Sequence, residues 1–124
     1  MNNMLEKFGE ILIREVRDSV SEDYNLIKTG QIKSKIGREL YESMSSFDEK
    51  DLDTLDRFSE EIIDRVIHKF LFLFEESDEF TIAMKNAVTP SDDLVEESDG
   101  LSGELFGKAG WITKFSENLI NSKR

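Results

Sequence analysis

The sequence predicts a mostly α protein of four to five helices packed around a long central helix at about residues 49–76, forming a single domain over residues 1–124. Two observations carry that expectation. First, placed at 100° per residue, residues 55–74 gather Leu55, Ile62, Ile63, Val66, Ile67, Phe70, Leu73 and Phe74 on one broad face. Asp56, Glu60, Glu61, Asp64, Arg65 and Lys69 occupy the rest. The stripe is wider than a coiled-coil seam and suits a helix covered by several neighbours. Each such side chain is worth roughly 1.5–3 kcal/mol when fully buried, and no other segment concentrates as many. Second, apolar residues recur at three- and four-residue spacing in most of the remaining chain.

The first helix is expected from about Asn3 to the low twenties, where Met4, Leu5, Phe8, Ile11, Leu12, Val16 and Val20 share that spacing. Gly9 weakens it only slightly, Tyr24, Leu26 and Ile27 can extend it, and Thr29-Gly30 breaks it. A second helix at 31–45 carries a ridge of Ile32, Ile36, Leu40 and Met44, with Tyr41 beside it. Lys28, Lys33, Lys35 and Arg38 gather at its start, suited to pairing with the acidic middle of the chain. Ser46 and Glu49 have capping-box spacing for the central helix, and Asp51, Asp53 and Asp56 place negative charge where its dipole favours it.

Beyond it, residues 77–90 fit a helix after a Ser77 or Asp78 cap better than a strand with Phe80, Ile82 and Met84 on one side. Thr89-Pro90 suggests a new short helix ending by Gly100. Gly100, Gly103, Gly107 and Gly110 mark a loop. Trp111, Ile112, Phe115, Leu119 and Ile120 then form an amphipathic final helix. A small β addition between 80 and 115, pairing 111–115 with 80–84, is the alternative that would make the class α+β.

The formal charge of −11 is uneven. Residues 1–47 hold 7 basic and 8 acidic side chains, residues 48–106 hold 5 and 18, and residues 107–124 hold 4 and 1. The middle of the chain therefore carries −13, a field that repels nucleic acid and anionic membrane and attracts basic surfaces. The start MNNMLEKFGE lacks the basic end and apolar middle of a signal peptide, and no apolar run is long enough for a membrane span. A cytoplasmic protein is expected. No cysteine is present, which removes disulfides, thiolate catalysis and cysteine-ligated metals.

Chemical motifs are scarce. His68 is the only histidine, and Asp64 stands one turn before it, but no Glu-x-x-His or His-x-x-x-His accompanies the pair. Gly103 to Lys108 has three residues rather than four between its glycines and Ala109 after the lysine, so it is not a phosphate loop. With Gly100 at the sixth position of a calcium loop, Val95 and Phe106 fall where carboxylates are required. Paired carboxylates are too abundant to single out a glycosidase-like pair. No cofactor or metal is expected, and no catalytic residue is assigned.

Phe72 lies on the polar face of the central helix with Glu61, Arg65 and His68. Either Trp111 and Phe115 of the last helix cover it, or it is an exposed aromatic anchor for a partner. The composition is similar to that of bacterial immunity proteins, antitoxins and phage inhibitors, a likeness of composition only. The expected function is a non-catalytic inhibitor of a basic protein partner, bound through Asp64, His68, Phe72, Asp92, Asp93, Glu96, Glu97 and Asp99. One alternative is a nucleic-acid mimic that blocks a DNA- or RNA-binding protein. The other is a small enzyme using common carboxylates with His68 as its neutral-pH base. A homodimer is compatible with the sequence; direct nucleic-acid or membrane binding is not expected.

Overall fold

The structure, a computed structural model, describes residues 3–86, 89 and 92–117. It is mostly α. α1 (Asn3–Ile11), a π-helical stretch (Leu12–Arg17) and α2 (Asp18–Lys28) run on as one long rod. The wider turn of the π stretch brings Leu12, Ile13 and Arg17 together into the interior. The rod stops where the sequence places its break: Thr29 bonds back to the Asn25 carbonyl at 3.0 Å and Gly30 takes φ of +76°. α3 (Lys35–Ser43) begins later than expected because Ser34 is its cap, its hydroxyl accepting the Gly37 amide at 3.0 Å. Ile36 and Leu40 of its expected ridge remain exposed.

α4 (Glu49–Glu76) is the long central helix. Its cap is Asp48, not Ser46. Asp48 accepts the Asp51 amide at 2.8 Å and Asp51 accepts the Asp48 amide at 3.2 Å, so two carboxylates form the box. Negative charge is favoured at that end of the dipole, and Asp48 offers it where a serine cannot. α4 lies antiparallel to the rod, since Tyr24 and Lys28 reach Asp56 while Arg17 reaches Asp64.

The face α4 turns inward differs from the expected one. Glu60, Asp64, Ile67 and Leu71 are its buried residues. Of the eight apolar residues of the expected stripe, only Ile67 is buried, and Ile62, Val66, Phe70 and Leu73 are exposed. The physical reason is the Arg17 guanidinium, which binds Asp64 and so fixes the rotation of α4 about its axis.

After α4 the chain is irregular. The expected helix at 77–90 is not formed over 77–86. Ser77 accepts the amides of Glu79 and Phe80, and Ala83 makes a single antiparallel bridge to Asp93. Two backbone bonds flank it, Met84 to Asp92 at 2.9 Å and Leu94 to Ile82 at 2.8 Å. No strand forms among the described residues, so the β alternative reduces to this one bridge. α5 (Leu94–Glu97) starts at an Asp93 cap rather than at Thr89; Pro90, its expected first residue, lies outside the described residues. A 3-10 turn (Leu101–Leu105) occupies the expected glycine-rich loop. α6 (Trp111–Phe115) is the last helix among the described residues, and Leu119 and Ile120 lie outside them.

The core gathers Leu5, Leu12 and Ile13 of the rod, Ile67 and Leu71 of α4, Leu94, Leu101 and Leu105, and Trp111 and Ile112. Trp111 is fully buried and meets the Phe8 ring edge-on at 6.0 Å between centroids. Gly9 is buried beneath its indole, so this glycine has a packing role that periodicity does not reveal.

Candidate functional site

Three polar groupings sit on this frame. The innermost centres on Arg17, whose side chain is 0% exposed. Its Nε donates to Asp64 Oδ1 at 2.6 Å and one terminal nitrogen to Asp64 Oδ2 at 3.3 Å, a two-pronged pair. Glu60 stands 3.7 Å from the same guanidinium, and the other terminal nitrogen donates to Ser116 Oγ at 3.1 Å. The π stretch aims Arg17 inward, and the i, i+4 spacing of Glu60 and Asp64 meets it with two carboxylates. Asp64, expected on the surface beside His68, is instead part of this buried cluster. Arg17 itself carried no sequence signal beyond its place one turn after Ile13.

The second grouping surrounds His68. Its ring lies parallel to Phe72 at 6.3 Å and tilted toward Phe106 at 5.6 Å. Glu61, Asp64, Arg65, His68, Lys69 and Phe106 line a shallow hollow of about 310 Å³. Arg65 is paired with Glu61 at 3.1 Å. Phe72 is exposed, and Phe106 rather than Trp111 is the ring described beside His68. Asp64 is held by Arg17, and His68 lies against the rings of Phe72 and Phe106, with the Glu75 carboxylate near enough to interact with it by charge. Among the described residues no group of three or more His, Asp or Glu is placed to hold a metal ion.

The third grouping is at the C-terminal end of α4. Phe74, Ser77, Asp78, Glu79, Phe80, Thr81, Asp93, Val95 and Glu96 surround a hollow of about 260 Å³. Phe80 stands at it 68% exposed. The carboxylates here divide by task. Asp93 caps α5 through the amides of Val95 and Glu96 and accepts the Thr81 hydroxyl at 2.7 Å. Asp92 accepts both the amide and the hydroxyl of Thr89 at 3.2 Å. Asp78, Glu79, Glu96, Glu97 and Asp99 are exposed. The eight expected contact residues therefore fall into separate places: Asp64 in the interior, His68 and Phe72 at the middle of α4, and residues 92–99 at and beyond the third hollow. Phe80 was missed; its only sequence signal is an aromatic directly after the acidic Ser77-Asp78-Glu79 turn.

Two titrations are displaced. Burial, then the hydrogen bond to Asp56, pushes the Tyr24 phenol well above its ordinary range. Glu75 is held below its ordinary value of 4.5 by the Ser102 amide, then by the Ser102 hydroxyl, both donating at 2.8 Å. A depressed carboxyl pKa gives stability that is present above the unfolded-state value and lost as pH falls through the folded one. Glu75→Gln is therefore expected to cost about 1 kcal/mol near neutrality, a small figure because the carboxylate is partly solvated. The cost should shrink as pH falls below 4.5, where the unfolded-state carboxyl takes up its proton first and the native one at lower pH. Urea unfolding at pH 7 and pH 3.5 measures it, and an equal cost at both would exclude the charge as its source.

Comparison with protein-family models, with curated proteins and with solved structures finds no match to this chain.

Proposed function

We propose that this protein is a non-catalytic binding protein that inhibits a basic protein partner, as an immunity protein or antitoxin does, in the cytoplasm. The docking point is the third hollow. The observation that carries this reading is Phe80, 68% exposed among Asp78, Glu79 and Glu96. An aromatic ring left in water beside unpaired-sign charge suits the side chain of lysine or arginine. The aliphatic stem packs on the ring, and the cationic head meets both the ring face and the carboxylates. The remaining acidity of residues 48–99 would steer such a partner from a distance.

A pull-down from host lysate read by mass spectrometry supplies the partner, and kinetics then test the site. The informative charge variant replaces Asp78, Glu79, Glu96 and Glu97 by Asn or Gln, leaving Asp92 and Asp93 to their backbone bonds. Association in low salt should slow by about tenfold or more and lose most of its salt dependence. Phe80→Ala should instead speed dissociation, costing about 2 kcal/mol if the ring is an anchor. If both variants bind with native kinetics, the hollow is not the site.

A further inference from the structure

The described residues leave one apolar face of α4 open. Its side of the molecule follows from the Arg17–Asp64 contact. Asp18, the residue after Arg17, accepts the Ser116 hydroxyl at 2.7 Å and the Glu117 amide at 2.8 Å, so the α6 end lies on that side. Glu61 and His68 lie on the same side of α4, with Phe106 over His68. At about 100° per residue, Ile62 and Val66, on either side of the buried Asp64, face away from the rod, and both are exposed. Along α4 the open stripe is Phe58 62%, Ile62 44%, Val66 63%, Phe70 51% and Leu73 60% exposed.

We infer that a second copy of this chain covers this face, with the two α4 helices antiparallel about a two-fold axis near Asp64. The spacing is self-complementary. Leu55, Phe58 and Ile62 stand nine, six and two residues before Asp64, and Val66, Phe70 and Leu73 stand two, six and nine after it. An antiparallel copy therefore sets Leu55 level with Leu73, Phe58 with Phe70 and Ile62 with Val66, each apolar residue meeting another. A two-fold interface requires such matching of one patch with itself.

Area and charge agree with this occupant. The five exposed side chains leave roughly 500 Å² per copy in water, taking ~150–250 Å² for a whole aromatic side chain and less for an aliphatic one. Doubled, and with Leu55 and the flanking stems added, the buried total reaches the lower end of the ~1,200–2,000 Å² of specific interfaces. Residues 49–61 hold six acidic and two basic side chains, and residues 62–76 hold three and two. Antiparallel pairing lays the strongly acidic half on the nearly balanced half, whereas parallel pairing would stack the acidic halves.

Sedimentation equilibrium at about 50 µM chain tests the pairing. The expected mass is twice 14.3 kDa. Because each copy carries −11, added salt should tighten this association, the reverse of its effect on a basic partner. Val66→Glu, at an exposed position, should return the single-copy mass with helical circular dichroism unchanged. The absence of native cysteine gives a second measurement that needs no disruptive change. Leu55→Cys and Leu73→Cys proteins, mixed and oxidised, should cross-link to each other and not each to itself. A single-copy mass for the native chain at every salt concentration overturns the inference, as does a two-copy mass for Val66→Glu. Cross-linking of like with like, or none at all, overturns the antiparallel two-fold arrangement.

Discussion

Arg17→Met should destabilise the protein by about 3–5 kcal/mol, because it leaves buried carboxylates without their guanidinium. Asp64 is 1% and Glu60 2% exposed, and Arg17 brings both their positive charge and the two-pronged bond to Asp64. Set against a total stability of roughly 5–15 kcal/mol for a domain, such a loss leaves a measurable unfolded fraction at room temperature. The melting temperature should fall by about 10–20 °C. The charge origin of the effect has its own control. Arg17→Met combined with Glu60→Gln and Asp64→Leu removes the stranded charges as well, and should recover much of the loss, since buried ion clusters can often be replaced by packed apolar groups. Thermal and urea unfolding of both variants measure this. A single variant within about 1 kcal/mol of the native chain would mean that the cluster is hydrated and contributes little.

Gly9→Ala is expected to destabilise by about 1–3 kcal/mol, although helix propensity alone predicts a gain of roughly 1 kcal/mol at a helix interior. The two effects have opposite sign, so the measurement decides between them. A Cβ built on Gly9 would come within 2.4 Å of two indole carbons of Trp111. Trp111 is fully buried and pinned edge-on by Phe8, with its ring nitrogen donating to Glu6 at 3.4 Å, so the indole has little freedom to retreat. Tryptophan fluorescence should shift toward that of a more solvated ring in step with the loss of stability. An alanine variant more stable than the native chain would show that the close approach is not required.

Much of the helical framework was legible in the sequence because it rests on local signals. The three- and four-residue apolar spacing, the Thr29-Gly30 stop and the acidic opening of α4 each act within a few residues. The inward face of α4 was not legible, for it is fixed by a contact 47 residues apart in sequence, between Arg17 and Asp64. Periodicity ranks faces by hydrophobicity, and here the inward face carries two acids while a more apolar face is left outside. The region after Ser77 failed for another reason. Phe80, Ile82 and Met84 satisfy strand spacing, and Phe80, Ala83 and Met84 satisfy helix spacing, so the pattern alone does not choose. Contacts distant in sequence settle it: the Met84 amide bonds to the Asp92 carbonyl and the Leu94 amide to the Ile82 carbonyl, around the single Ala83–Asp93 bridge. At the candidate site, the exposed acids Glu96, Glu97 and Asp99 were legible as acids, but their division from the capping pair Asp92 and Asp93 required the loop's geometry.

Trp111 on Gly9 also sets an order of events during synthesis. The ribosome delivers the chain from its first residue, at about 5–20 residues per second, so both long helices emerge before the segment that completes the core. The rod and α4 can already meet through Arg17 and Asp64, which lie within the first 64 residues. The recess awaiting Leu101, Leu105, Trp111 and Ile112 must stay unfilled until those residues leave the exit tunnel. The core can therefore close only when Trp111, the single tryptophan, arrives over Gly9.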